Sequence, residues 1–242
     1  MKIILKVLLK FFFNVQTKID ENVANVHGVI VCNHQSFLDG VLLGAFLPQR
    51  PVFVVNTDIA NRWYFKLFLK FIDHVTVDPL HPMAIKHLTK EVAKGRTIVI
   101  FPEGRITLTG SFMKFYEGAA FVAYKAKVPL IPVFLEGAEY TYFSRLKGLV
   151  KQRFFTPITI TVTQPLDISM PEGLIGKQRR QYLANYTHEI MMDLRIQTFI
   201  PTSLFGMILE SKRRFGGDVP CIEDIQRKPE TYNELITKTL AV

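Results

Sequence analysis

Cysteine is nearly absent from this 242-residue chain. Cys32 and Cys221 are the only two. They lie far apart, in no metal-like or redox-like spacing, so a disulfide framework is excluded and a reducing compartment fits. No Gly-x-Ser-x-Gly occurs, which removes the nucleophile elbow of a serine hydrolase. No His-Glu-x-x-His occurs either. The six histidines (27, 34, 74, 81, 87 and 188) form no ligand set, and His81 and His87 fall on different faces of one expected helix. No metal is therefore expected. No low-complexity run, linker or internal repeat divides the chain, and 48% of its residues are hydrophobic, enough for one large domain with an ample core. Long apolar spans are missing too: the N-terminal "MKIILKVLLKFFF" is too short to cross a bilayer and is followed by no small-residue cleavage site.

Acidic residues are in deficit. Lys and Arg number 30 against 21 Asp and Glu, a formal charge of +9. The partner is then acidic: nucleic acid, an anionic membrane or an acidic protein. The distribution favours a membrane. Lys2, Lys6 and Lys10 recur every fourth residue in a greasy N-terminal segment, and "RWYFKLFLKFI" (62–72) repeats the arrangement with Arg62, Lys66 and Lys70. Such helices lie in a lipid interface with their apolar side immersed. The same pattern also describes core helices with solvated lysines. Arg145, Lys147, Lys151 and Arg153 form a further basic group, as do Lys177, Arg179 and Arg180. Either can touch anionic lipid, dock an acidic carrier protein, or simply be solvated.

Along the chain, β-rich runs (28–32, 51–55, 74–77, 97–101, 128–137 and 158–165) alternate with helical patterns (39–47, 62–72, 81–95, 117–126 and 173–197). Pro82 near the start and Gly95 past the end frame the 81–95 helix. This alternation predicts an α/β fold with a central mixed, largely parallel sheet flanked by helices, and an N-terminal amphipathic membrane-contacting helix. The expected divisions are a membrane-contacting segment at 1–15, the main domain at 16–200 and a C-terminal extension at 201–242, whose packing after Pro201 is left open.

Two short segments hold chemistry. In "VCNHQSFLDG" (31–40), His34 and Asp39 are five apart, about 140° around a straight helix. "SFLD" reads as a capping box, with Ser36 the cap and Asp39 at the third helical position. His34 then lies before the helix, where the imidazole can fold back onto the Asp39 carboxylate. A carboxylate on one ring nitrogen fixes the tautomer and leaves the other nitrogen basic. A plain helix start beside an idle histidine is the alternative. In "FPEGRITLTG" (101–110), Gly104 permits a positive φ, Arg105 offers a fork for phosphate, and Thr107 and Thr109 add hydroxyls. A surface turn with a solvated Glu103–Arg105 pair is the alternative there.

Together, "NHQSFLD" and "FPEGRIT" resemble the Asn-His-x4-Asp and Phe-Pro-Glu-Gly-Arg blocks of the glycerolipid acyltransferases, and "VPLIPV" (128–133) resembles that family's later strand block. Longer stretches, "VIFPEGRITLTGSFMKFYEGAAFVA" and "EGAEYTYFSRLKGLVK" among them, resemble the amino-terminal part of bifunctional 2-acylglycerophosphoethanolamine acyltransferase/acyl-ACP synthetases. The resemblance implies that His34 is a general base and Asp39 its orienting partner. It assigns Glu103, Gly104, Arg105 and Thr107 to acceptor binding, and has Asn33 and Ser36 shape the turn. It implies acyl-ACP, or acyl-CoA, as a donor substrate with no cofactor. The implied acceptor is 2-acyl-lysophosphatidylethanolamine at its sn-1 hydroxyl, or alternatively 1-acylglycerol-3-phosphate. It further implies an anionic membrane surface and the acyl carrier protein as partners, no nucleic acid, peripheral residence on the cytoplasmic face of the bacterial inner membrane, and an adenylate-forming domain beyond 242. The family ends its middle block with an arginine, and here that place holds Asp78. A carboxylate repels a phosphomonoester and tolerates an ethanolamine ammonium. Asp78 can equally cap the chain after Pro79. A non-catalytic basic membrane-binding module accounts for the charge but leaves both blocks unexplained.

Overall fold

A sheet of seven strands forms the centre of the molecule, and its parallel strands aim their C-terminal ends at one edge. The computed structural model describes all residues except 1, 71, 79, 80, 82, 200, 201, 224, 226, 227 and 242, with positions 2, 64, 67 and 68 described by backbone alone. Pro82 and Pro201, expected at element boundaries, thus lie outside the described residues.

The strands are β1 (Gln16–Ile19), β2 (Val29–Cys32), β3 (Val52–Asn56), β4 (His74–Val77), β5 (Ile98–Ile100), β6 (Leu130–Glu136) and β7 (Thr159–Val162), in the order β1-β7-β6-β2-β5-β3-β4. All neighbours pair in parallel except β6 and β7, which are antiparallel, so β1 and β7 run against the other five. Central strands β2 and β6 are buried on both faces, and the runs "VIVC" and "LIPVFL" are continuously apolar for that reason, with only Glu136 at the end of β6 exposed.

Helices cover both faces: α1 (Lys2–Phe13), α2 (Asp39–Phe46), α3 (Thr57–Ala60), α4 (Trp63–Leu69), α5 (Ala84–Ala93), α6 (Gly118–Ala126) and α7 (Gly176–Thr198). One core layer joins Leu9 and Phe13 of α1 with Leu42, Leu43 and Phe46 of α2 against the sheet. The other joins Leu88, Val122, Leu183 and Met191 of α5, α6 and α7 against the opposite face. Each of the large aliphatic side chains removed from water contributes about 1.5–3 kcal/mol.

The structure supplies two parts that the sequence pattern leaves open and corrects a third. The strand β1 has no signature in the sequence; "QTKI" is polar and mostly exposed, and its pairing with β7 is what makes it a strand. The extension after 201 is structured: α8 (Leu204–Phe215), a hairpin of β8 (Pro220–Glu223) and β9 (Pro229–Thr231), and α9 (Tyr232–Leu240), which opens with a true capping box from Thr231 and Glu234. And α2 begins at Asp39, with Leu38 in the cap position and no side-chain cap. The expected Ser36 cap on a helical N–H does not form: the hydroxyl donates to the Asp39 carboxylate and accepts from the Leu38 N–H ahead of the helix, while the N–H groups of Gln35 and Ser36 hold the same carboxylate. Among the described residues no helix is long and apolar enough to cross a membrane.

Candidate active site

Strand β2 delivers Asn33 and His34 to the C-terminal edge of the parallel strands, where open α/β sheets hold their ligands. Asn33 is buried and pairs reciprocally with the Leu135 backbone, donating through Nδ2 and accepting through Oδ1, both at 2.8 Å. This side-chain rung extends the β2–β6 pairing beyond the strand and fixes the direction in which His34 leaves.

The His34 imidazole turns back to Asp39, Nδ1 to Oδ2 2.8 Å. Asp39 is wholly buried, and its carboxylate is saturated. Oδ2 also accepts from the backbone N–H groups of Gln35 (2.6 Å) and Ser36 (3.0 Å), and Oδ1 from the Ser36 hydroxyl (2.6 Å). A carboxylate only accepts, so Nδ1 is the nitrogen that carries the proton, and in the neutral tautomer Nε2 has the lone pair. The histidine side chain is 20% exposed, whereas its partner is wholly enclosed. The ring lies flat on Phe101, centroids 4.0 Å apart and planes 16° apart.

The second segment follows β5 and braces the first. Glu103 is buried, and its carboxylate accepts from the His34 N–H through Oε1 and from the Met113 N–H through Oε2, each at 3.1 Å. The Thr107 N–H donates to the His34 carbonyl at 2.8 Å. Both backbone groups of His34 are thus held by this loop. Burial pushes the Glu103 carboxyl above its ordinary value, against the pull of those two N–H groups. Gly104 turns the chain with φ +68°, which favours glycine. Arg105 is exposed next to it, with no hydrogen bond or ion pair among the described residues. The Thr107 hydroxyl, expected to offer a donor to a ligand, is buried and used within its own turn. It donates to the Ser111 carbonyl and accepts from the Gly110 N–H. Thr109 likewise accepts from the Ser111 N–H.

The structure therefore gathers all the predicted residues at one sheet edge but divides them. His34, Gly104 and Arg105 reach the surface, whereas Asn33, Ser36, Asp39, Glu103 and Thr107 are internal. Cys32 lies just behind, and burial, reinforced by the charges of Asp39 and Glu103, raises its thiol well above the ordinary value. It is no thiolate nucleophile. A cavity of about 570 Å³ lies elsewhere, bordered by Lys18, Asp20, Gln164 and Asp193, and includes none of these residues.

A further member went unseen in the sequence. Glu139, in the turn after β6, is buried and accepts from the Gly137 N–H at 2.7 Å. The Gln35 carboxamide, in the orientation that pairs all its polar atoms, donates to Glu139 Oε2 (2.6 Å) and Leu135 O (3.1 Å). The backbone N–H of the same glutamine holds Asp39. "EGAE" at a strand end carries no periodic signal that could have revealed this contact. Burial pushes the Glu139 carboxyl up to about 7. The folded state thus holds this proton more tightly than the unfolded chain, and ionisation costs stability as pH rises from about 4.5, fully so above 7. The full difference is about 3 kcal/mol. Glu139→Gln is expected to match the wild type near pH 4.5 and to exceed its unfolding free energy by up to about 3 kcal/mol at pH 8. Denaturant titrations across that range check this, and parallel curves for the two proteins would contradict it.

The sheet edge, its half-open His–Asp pair and the loop that braces it define an acyltransferase fold, and comparison with known proteins agrees. The sequence model of the Acyltransferase family matches residues 14–136, half of the chain, and the chain belongs to that family. The solved 1-acyl-sn-glycerophosphate (LPA) acyltransferase PlsC of Thermotoga maritima superposes with a TM-score of 0.59 over 83% of this chain and 80% of that one, at 19% identity, a likeness of fold. Among relatives in sequence, the 1-acyl-sn-glycerol-3-phosphate acyltransferase of Cocos nucifera is 29% identical over 150 residues, 59% of this chain and 47% of the relative. The human 1-acyl-sn-glycerol-3-phosphate acyltransferase beta is 30% identical over 151 residues, 60% of this chain and 52% of the relative. The Helicobacter pylori 1-acyl-sn-glycerol-3-phosphate acyltransferase is 27% identical over 170 residues, 67% of this chain and 70% of the relative. The chain spans about half the length of the coconut and human relatives.

Proposed function

We propose that this chain transfers a fatty acyl group from a thioester donor, acyl-ACP or acyl-CoA, to the free glycerol hydroxyl of a lysophospholipid. The observation that supports it most is the His34–Asp39 pair, one partner sealed and the other open, beside the exposed Arg105. Nε2 of His34 takes the hydroxyl proton as the oxygen attacks the thioester carbonyl. The tetrahedral oxyanion collapses, the C–S bond breaks, and the imidazolium returns its proton to the departing thiolate. Proton transfer of this kind contributes about 10²–10⁴-fold, and holding the reactants in line supplies much of the rest. Arg105, planar and permanently charged, pairs with the acceptor phosphate.

The relatives' names support 1-acyl-sn-glycerol-3-phosphate as the acceptor. A second reading, 2-acyl-lysophosphatidylethanolamine acylated at sn-1, is favoured by Asp78. This residue is exposed at the C-terminal end of β4, where the resemblance calls for arginine. Strand β4 lies three strands from β2, about 14 Å away across the same sheet. Work at the cytoplasmic face of the bacterial inner membrane belongs to the same proposal.

A transfer assay with a panel of lysophospholipids and both donors tests it; turnover of none of them would reject the proposal. Asp78→Arg is expected to raise activity on lysophosphatidic acid relative to lysophosphatidylethanolamine about tenfold, the ratio of a 1.4 kcal/mol change in head-group pairing. An unchanged ratio removes Asp78 from acceptor choice.

A further inference from the structure

Between β6 and β7 the chain makes a long excursion, residues 141–156, that leaves large side chains in water. Tyr142, Phe143, Leu149, Phe154 and Phe155 are 48–70% exposed. The Tyr142 and Phe154 rings lie 4.4 Å apart, and Phe155 stacks on Phe12 of α1 at 5.8 Å. The Ile158 N–H donates to the Phe13 carbonyl at 2.9 Å and holds the end of the excursion against the end of α1. Helix α1 in turn exposes Ile3, Ile4, Val7, Leu8 and Phe11. Two stretches more than a hundred residues apart therefore form one apolar surface. A soluble monomer rarely exposes so much contiguous apolar area.

The charges on this surface are of one sign. Lys10, Arg145, Lys147 and Lys151 are exposed among the rings, and neither 1–13 nor 141–156 contains an aspartate or glutamate. Bases alone would suit an acidic protein. Bases interleaved with exposed Phe, Tyr and Leu suit an anionic bilayer, whose head groups take the charge while the acyl boundary takes the rings.

We infer that residues 142–155 are a second membrane anchor, continuous with α1, and that this anchor seats the His34 turn at the surface of an anionic bilayer. The backbone makes the connection. The Phe37 N–H donates to the Phe143 carbonyl at 3.1 Å, Ser36 and Ser144 form an antiparallel bridge, and the Arg145 guanidinium lies over the Phe37 ring at 5.4 Å. The turn that carries Asp39's partners is hydrogen-bonded to the anchor itself, so a lipid hydroxyl at the bilayer surface meets His34 without leaving the interface. This last consequence rests on the proposed function; the bilayer contact does not.

The test uses the full chain and two readouts without turnover. In co-sedimentation with vesicles of phosphatidylcholine and phosphatidylglycerol, Phe154→Ser with Phe155→Ser is expected to weaken binding at least tenfold, with an unfolding midpoint like that of the wild type. Because Trp63 is the only tryptophan, Phe154→Trp in a Trp63→Phe background reports from the anchor alone, and lipids with brominated acyl chains are expected to quench it. Unchanged binding by the serine pair, or unquenched emission, overturns the inference. So does a serine pair that binds vesicles normally but loses binding to an acidic carrier protein. Quenching without transfer to any lysophospholipid would leave the anchor standing and reject the proposed function.

Discussion

Replacing His34 by alanine is expected to lower acyl transfer by at least about 10²–10⁴-fold, the share that a positioned general base supplies, with the fold intact. The two effects separate because the backbone and side chain of this residue do different things. Its N–H and carbonyl are the groups that tie β2 to the loop after β5, through Glu103 and Thr107, and alanine keeps both. The side chain gives up one hydrogen bond and its contact with Phe101. Asp39 retains three donors after the change, from Gln35 and Ser36. A stability loss of about 1–2 kcal/mol is therefore expected. Steady-state transfer rates beside a denaturant titration check the pair of claims, and substantial residual turnover in a folded variant would eliminate His34 as the base.

At Asp39 the expected effects are larger for the fold. Alanine leaves Nδ1 of His34, two backbone N–H groups and the Ser36 hydroxyl without an acceptor in a fully buried place. Each stranded buried group costs about 1–3 kcal/mol, so several together reach the stability of a typical domain. Asp39→Ala should therefore be poorly folded. Asparagine tells the two roles apart. It keeps the size and one acceptor oxygen, but its NH2 faces donors or turns Nδ1 into an acceptor, which moves the ring proton to Nε2 and blocks the basic lone pair. Asp39→Asn should fold with a moderate loss of stability and have kcat as low as the His34 variant, with a KM near the wild type. Full activity in Asp39→Asn would mean that the carboxylate does not set the tautomer.

The site was legible in the sequence where residue type and spacing carried the chemistry, and not where function passed through the backbone. His34 and Asp39 declare themselves because an imidazole and a carboxylate flank a helix start. The Ser36 hydroxyl was read as a helix cap, since a sequence shows only that a cap-forming residue precedes an apolar run, not that a buried carboxylate nearby competes for it. Glu103 and Thr107 were read as facing a ligand. They face inward, because the atoms they serve are the amide groups of His34, which have no sequence signature. Arg105 kept its place at the surface. The sheet was legible in its buried strands, whose apolar runs need no partner to be recognised. It was illegible at β1, whose polar residues become a strand only beside β7, and in the elements after 201, whose short amphipathic stretches carry weak period.

Under the proposed mechanism, the flat contact between His34 and Phe101 matters once the base has taken its proton. An imidazole that has just accepted a proton is a cation, and the face of an aromatic ring attracts cations by about 0.5–2 kcal/mol. Phe101 thus presents its face to the charge that the proposed base carries between taking a proton and passing it on. The same plate covers one face of the heterocycle. An aliphatic residue in its place would offer no such face at the moment the ring carries charge.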